Sequence, residues 1–218
     1  METKPKMLDL FCGAGGAAMG YFRAGFSVVG VDIKPQVRYP FEFHQADALE
    51  FCARHGAEFD AIHASPPCQA YSWLTPAGSR QNHPDLIGKV RTALRACARP
   101  YVIENVEGAR RFLIQPLKLC GSQFGLKLFR HRYFEIGGID CPLILVPSCN
   151  HAFVPVLISG TTRRKGFSRR ENTVAERRDA AEIPWMTKEE LDDAIPPAFT
   201  EFIGKQLMEV LRGNKNEA

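Results

Sequence analysis

No apolar run in the 218 residues approaches the ~20 needed to cross a bilayer. The opening Met1-Glu2-Thr3-Lys4-Pro5-Lys6 has no apolar core of the kind a secretory signal carries. Charge of neither sign dominates. Twenty-eight Lys and Arg against 24 Asp and Glu leave a net +4, which permits a nucleic-acid partner without demanding one. The cysteines number seven, an odd count, and lie scattered, which speaks for reduced thiols and against a disulfide framework. Internal repeats and low-complexity tracts are absent. These absences lead us to expect a cytoplasmic protein without membrane contact. At this length it holds one sizeable core, or one domain with a small appendage.

What the chain does have is a rhythm of short apolar strands and helices. Met7 to Phe11 reads as a strand and runs into Cys12-Gly13-Ala14-Gly15-Gly16, after which Ala17 to Ala24 is helical in composition. Strand, glycine turn and helix open a nucleotide-binding α/β unit. The turn by itself also fits a tight strand-to-helix connection with no ligand. Ser27 to Asp32 is the second strand, and its terminal acid is placed to bind ribose hydroxyls or to face solvent. A short strand at Phe43–Gln45 leads to Asp47. That acid either accepts from an adenine amine or caps the helix expected over Ala48–Arg54. Strands at Phe59–Ala64 and Tyr101–Val106 flank a helix expected over Asp85–Arg99, so the spacing predicts a parallel sheet covered by helices on both faces.

The centre of the chain is Ser65-Pro66-Pro67-Cys68-Gln69-Ala70-Tyr71-Ser72-Trp73. Two prolines end the fourth strand, since neither can donate to a ladder. The thiol that follows stands on a rigid turn at the sheet edge where open α/β folds bind ligands. A lone cysteine is more often a small buried hydrophobe. The polar and aromatic residues behind this one favour a nucleophile. Thr75–His83 reads as a mobile loop. If the fourth and fifth strands are neighbours, Glu104 emerges beside Cys68. A strand over Leu128–Glu135 would point Arg130 and Arg132 to one face, toward an anionic or carbonyl-rich group or toward solvent.

Beyond Gly137 the rhythm breaks. Cys141, Cys149 and His151 lie close in sequence, but metal sites show tighter pairs and a fourth ligand, so a structural role and no metal are expected. Arg163, Arg164, Lys165, Arg169 and Arg170 form a basic run, with Arg177 and Arg178 after it, suited either to a solvated loop or to phosphate contact. Thr187 to Glu190 is a capping box that starts a helix, and Phe199–Leu211 is a final amphipathic helix.

Taken in order, these pieces resemble the DNA (cytosine-5-)-methyltransferase family, in its small phage or prophage form. Phe11-Cys12-Gly13-Ala14-Gly15 resembles the cofactor loop. Asp32 and Asp47 fall where ribose and adenine contacts lie. Ser65-Pro66-Pro67-Cys68-Gln69 resembles the nucleophile motif, Glu104-Asn105-Val106 the Glu-Asn-Val motif, Arg130-His131-Arg132 the arginine-x-arginine strand, and Ala194-Ile195-Pro196-Pro197 the opening of the last motif. Two departures stand out. Leu128 occupies the place of a usual glutamine, and Asp192-Asp193 that of a usual Gly-Asn.

The resemblance implies an α/β, Rossmann-like class I S-adenosylmethionine-dependent methyltransferase fold with a reduced target-recognition segment. Residues 1–136 would form the catalytic domain, 137–183 the recognition segment with its basic loop, and 184–218 the returning helices. It implies Cys68, Glu104, Arg130 and Arg132 as catalytic residues. Phe11, Gly13, Gly15, Asp32, Asp47, Pro66 and Pro67 would bind S-adenosyl-L-methionine. Gln69, Ser72, Arg163, Arg164, Lys165, Arg169 and Arg170 would contact double-stranded DNA. The expected protein is a monomer in a bacterial or phage-infected cell, with a role in restriction-modification. Two alternatives remain at this point: an RNA cytosine carbon-5 methyltransferase of the tRNA type, which shares Ser-Pro-Pro-Cys-Gln, and a non-catalytic DNA-binding relative.

Overall fold

A computed structural model describes residues 4–72, 75–139, 146–158 and 172–216. Its centre is a seven-stranded sheet in the order β3-β2-β1-β4-β5-β7-β6. β1 (Lys6–Leu10) lies inside the sheet, and Met7 to Leu10 are buried on both faces, as an interior parallel strand requires. β2 (Ser27–Asp32), β3 (Glu42–Gln45), β4 (Ala61–Ala64) and β5 (Tyr101–Asn105) run parallel to it. The strand order reverses at β1, with β2 on one side and β4 on the other. The loops after β1 and β4 therefore open one crevice at the sheet's carboxyl edge.

Strand alternation feeds two cores. Met7 and Ala61 pack with Tyr21, Phe199, Ile203 and Leu207, from α1 (Gly16–Ala24) and the terminal helix. Leu8, Leu10 and Ile62 pack on the other face with Cys52, Val90 and Leu94, from α2 (Ala48–His55) and α3 (Ile87–Ala96). The α/β, Rossmann-like expectation therefore holds. α3 starts two residues later than the composition suggested, and the Asp85 carboxylate before it accepts a hydrogen bond from the Tyr71 hydroxyl. Residues 77–82 form a 3-10 turn where an irregular loop was expected.

The second half corrects the sequence reading in three places. Leu117–Leu119, where no strand was expected, is strand β6, paired antiparallel with β7. β7 covers Arg132–Gly137 and not Leu128–Glu135, so Arg130 lies before the strand and the alternation argument for it fails. α4 (Val174–Ala181) was not expected, although Thr173 and Glu176 form a reciprocal capping box. Arg177 and Arg178, which follow the basic run, belong to α4. Arg177 is buried and donates to the carbonyls of Asn172 and Ile158 at 3.2 Å, and Arg178 donates to Met186 O at 2.6 Å. α5 (Lys188–Asp193) carries the foreseen Thr187 box, and α6 (Pro197–Asn216) closes the chain. α6 crosses α1 closely enough that a Cβ on Gly20 would lie 2.1 Å from Thr200 Oγ1.

Candidate active site

The loop after β1 is built by backbone that most side chains avoid. Phe11, Gly13 and Gly15 all have positive φ, at 57°, 48° and 84°. Gly13 donates its N–H to Asp32 Oδ2 at 3.1 Å, which joins the ends of β1 and β2. A Cβ on Gly13 would meet nothing within 4 Å, so the loop faces open space there. Below it Asp9 is fully buried. Its Oδ2 accepts from Tyr39 at 3.5 Å, and its Oδ1 has no partner. Burial raises the Asp9 carboxyl to about 8, against the lowering hydrogen bond from Tyr39. The loop thus offers Asp32 beside an open cradle, which fits a ligand with a ribose diol, as S-adenosylmethionine has, while Asp9, buried and raised toward the neutral form, offers no anion.

Asp47 sits at the edge of this region. It is exposed, and its Oδ1 caps α2 by accepting from Leu49 N and Glu50 N at 2.9 and 3.0 Å. The capping alternative is therefore realised, with Oδ2 left over for any other contact. Trp185 and Ile195, the latter from the motif expected to pack back here, close the loop from behind. Trp185 Nε1 donates to Ala14 O at 2.8 Å, and Ile195 O lies where a Cβ on Gly16 would be, 2.4 Å away. The Ala194–Pro197 segment thus packs directly on the β1–α1 turn.

β4 and β5 are neighbours in register, with Ala64 opposite Ile103. Glu104 and the turn that carries Cys68 therefore leave adjacent strands. Asn105 Nδ2 donates to Pro66 O at 3.0 Å and ties the Pro66-Pro67 turn to β5. Pro66 is buried and Pro67 exposed. Cys68 O accepts from Tyr71 N at 2.9 Å and Ser72 N at 2.8 Å, which curls the loop behind the thiol. Gln69 on this curl is exposed.

Arg132 Nε stands 2.9 Å from Glu104 Oε1, with both side chains largely buried. The N–H is not aligned on that oxygen, which keeps its hydrogen-bonding capacity although the charges are in contact. Burial raises the Glu104 carboxyl above the usual carboxylate range. Arg132, a Ser65 hydrogen bond and Arg130 oppose the rise, and Asp193 adds to it. Arg130 is buried and donates to Asp192 O. Burial and Arg132 push its guanidinium down to about 9, so it stays charged at neutral pH.

The Cys68 thiol is also raised. Burial acts first, then Asp193, against Arg132, with Glu104 adding to the rise. One electrostatic neighbourhood thus gathers Cys68 from the turn after β4, Glu104 of β5, Arg130 just before β7, Arg132 of β7 and Asp193 of α5. Asp193, which stands where the resembled family has asparagine, was noticed only as a departure. Its proximity to the thiol is a tertiary fact.

The basic candidates Arg163, Arg164, Lys165, Arg169 and Arg170 lie outside the described residues, as do Trp73 and Cys141. Cys149 and His151, by contrast, meet Cys120 and His131. The ligating atoms of all four lie within 4.8 Å of one another, so the objection that a fourth ligand was lacking falls.

Comparison with known proteins gives a consistent picture. Residues 5–112 match the family described as C-5 cytosine-specific DNA methylase. The type II methyltransferase M.AquIA of Picosynechococcus is 28% identical, over 61% of this chain and 71% of that protein. M.XorII of Xanthomonas oryzae is 30% identical, over 49% of this chain but only 29% of its own length. Among solved structures, an Escherichia coli prophage protein described as a DNA modification methyltransferase superposes with a TM-score of 0.64 at 16% identity, covering 96% of this chain and all of its own. The Entamoeba histolytica methyltransferase EhMeth gives 0.64 at 14% identity, covering 98% and 99%. At these identities the structural likenesses speak for the fold.

Proposed function

Since this chain belongs to the C-5 cytosine-specific DNA methylases, we propose that it methylates carbon-5 of cytosine in double-stranded DNA through a covalent Cys68 adduct, with S-adenosylmethionine as methyl donor. The observation that carries this reading is the meeting of Cys68, Glu104 and Arg132 at the ends of three sheet strands or their turns, beside a loop with an acid at Asp32.

Carbon-5 of cytosine is a weak nucleophile. Attack of the Cys68 thiolate on carbon-6 forms a C–S bond and moves the ring electrons toward carbon-5 and nitrogen-3. Glu104 supplies the proton at nitrogen-3, and its burial favours the protonated form this needs. Arg132 holds the base carbonyl and balances charge near Glu104, while Arg130 braces the Cys68 loop. Phe11, Gly13, Gly15, Asp32, Asp47, Pro66 and Pro67 would hold S-adenosylmethionine, which when bound would supply an electrophilic methyl group to carbon-5 and leave as S-adenosylhomocysteine. A base such as water or hydroxide then takes the carbon-5 proton, the C–H pair restores the carbon-5–carbon-6 double bond, the C–S bond breaks to return the Cys68 thiolate, and nitrogen-3 gives its proton back to Glu104. The base must leave the duplex to reach this site. Gln69 and Ser72, on the loop behind the thiol, would meet the DNA, together with the basic residues from Arg163 to Arg170. Residues 1–136, 137–183 and 184–218 would serve as catalytic part, recognition segment and returning helices. A recognition segment this short favours a short or relaxed target site.

The test is covalent trapping on duplex DNA containing 5-fluorocytosine in the presence of the cofactor. The native chain should form an adduct stable to denaturation, and Cys68→Ser should form none. Labelling of tRNA but not of duplex DNA would overturn the substrate assignment, and trapping by Cys68→Ser would overturn the mechanism. Bisulfite sequencing of host DNA reads the target. One long, strict site would contradict the relaxed specificity.

A further inference from the structure

We propose that Cys120, His131, Cys149 and His151 form a tetrahedral site for a zinc-class divalent cation that fastens residues 146–158 to the rim of the sheet. The first two ligands come from one hairpin. Leu119 of β6 pairs with Arg132 of β7, so Cys120 and His131 are the next residues outward, facing each other across the hairpin end. The other two, Cys149 and His151, sit one residue apart in a segment with neither helix nor strand.

The distances fit a shared ion. Cys120 Sγ lies 3.4 Å from His151 Nε2, and Cys149 Sγ lies 3.7 Å from His131 Nε2. With Zn–S of about 2.3 Å and Zn–N of about 2.0–2.1 Å at tetrahedral angles, sulfur and nitrogen ligands stand about 3.6 Å apart. A thiol–imidazole hydrogen bond accounts for each pair by itself. It does not account for all four donor atoms converging within 4.8 Å. Two sulfurs and two imidazoles are a donor set that selects zinc over hard cations.

The surroundings hold these ligands in place, as outer partners of metal sites do. The Phe129 ring stacks on His151 at 4.2 Å. Ser122 Oγ lies 3.2 Å from Cys120 Sγ and accepts from Asn150 N at 3.1 Å. Gln123 spans both sides, accepting from Cys120 N at 2.7 Å and donating to Pro147 O at 2.6 Å. The segment itself buries little. Ile158 is its buried apolar residue, while Val154 is 70% exposed. A stretch without its own core gains most from a cross-link, and metal binding free energy adds directly to its ordering. His131 lies between Arg130 and Arg132, so an ion here would also stiffen that backbone. That consequence alone rests on the proposed function.

The experiment uses the full, tag-free chain purified from zinc-supplemented cells. Mass-spectrometric metal analysis should find one zinc per chain. Cobalt added to the metal-stripped chain should give the intense visible bands of a tetrahedral sulfur–nitrogen site, displaced by zinc. Cys149→Ser and His151→Ala should each lower bound zinc to under about a tenth of an equivalent. Cys52→Ser, remote from the site, should keep it. The cobalt titration needs no variant, so it decides the matter even if the variants misfold. A native chain that binds neither zinc nor cobalt, or a Cys149→Ser/His151→Ala double variant that retains zinc, would overturn the proposal. So would a Cys120–Cys149 disulfide found by peptide mapping of the unreduced chain, which tells it apart from one between Cys52 and Cys97, whose sulfurs lie 3.5 Å apart.

Discussion

Replacing Glu104 with glutamine separates the acid's role in chemistry from its role in the fold. The substitution keeps volume and keeps an acceptor for Ser65, but it cannot deliver a proton to the base. Loss of general acid help should lower the single-turnover rate by about 10²–10⁴, or about 2.7–5.5 kcal/mol of barrier. The fold should suffer less. Removing a buried partner outright costs about 3–5 kcal/mol. Here Arg132 keeps its hydrogen bond to His131 O at 2.9 Å and gains a neutral amide, so a cost of about 1–3 kcal/mol is expected.

The pH profile is the sharper readout. Glu104 is raised above the usual carboxylate range and Cys68 above the usual thiol range. Between those two titrations, each pH unit raises the thiolate fraction about tenfold and lowers protonated Glu104 about tenfold, so the native rate is flat. In Glu104→Gln only the thiolate factor remains, and the rate should climb about tenfold per unit across the same window. Single-turnover methylation at saturating DNA and cofactor, over a pH series, measures both effects. A variant within about fivefold of native, or one with the same flat profile, would refute the assignment of Glu104 as the proton donor.

Five further outcomes follow from the packing and electrostatics. Gly20→Ala would press a Cβ to 2.2 Å from Pro197 O and 2.6 Å from Glu201 N. Calorimetry should show a loss of about 1–3 kcal/mol or more, whereas Gly88→Ala, open on exposed α3, should be neutral or stabilising. Asp47→Asn should keep the α2 cap and the native melting temperature, while Asp47→Ala loses about 1 kcal/mol. Isothermal titration of the cofactor should show Asp32→Ala weakened about tenfold or more, and Asp47→Asn by about fivefold if its free oxygen meets adenine.

Asp9, held neutral to about 8, costs the native state about 1.4 kcal/mol per unit as pH rises above its unfolded value. His63, pushed down to about 3 by burial, acts with the opposite sign and offsets this below its ordinary value of 6.5. Urea titrations of the cofactor-free chain should therefore show stability falling by about 1 kcal/mol from pH 6.5 to 8, and Asp9→Asn should abolish the fall. Glu135, bound by Arg91 at 2.6 and 2.7 Å and by Ile114 N at 2.8 Å, should cost about 3–5 kcal/mol when cut to alanine. A compensated Arg91→Met/Glu135→Leu pair should recover most of that loss in the same titration.

Where chemistry is local, the chain states it outright. The β1 turn could be read because positive φ at Gly13 and Gly15 needs glycine, and the end of β4 because Pro66-Pro67 cannot continue a ladder. Buried runs such as Tyr-Val-Ile before Glu104 announced a central strand for the same reason: an uninterrupted apolar stretch has nowhere else to go. The Thr187 box located α5. The equal signal at Thr173 went unread because no apolar periodicity followed it. Its helix is mostly polar, with Arg177 turned inward to backbone carbonyls.

Pairing across distance was decided by tertiary structure alone. β6 is three residues long and becomes a strand only because β7 lies beside it. The β7 start at Arg132 follows from that hairpin, and no periodicity within residues 128–135 encodes it. Asp193 near Cys68, Trp185 on Ala14, and Cys120 and His131 beside Cys149 and His151 join residues tens to more than a hundred positions apart. Short-range sterics and hydrogen bonding are written residue by residue. The meeting of remote side chains depends on how whole elements pack, and that information exists only once the sheet has closed around its two cores.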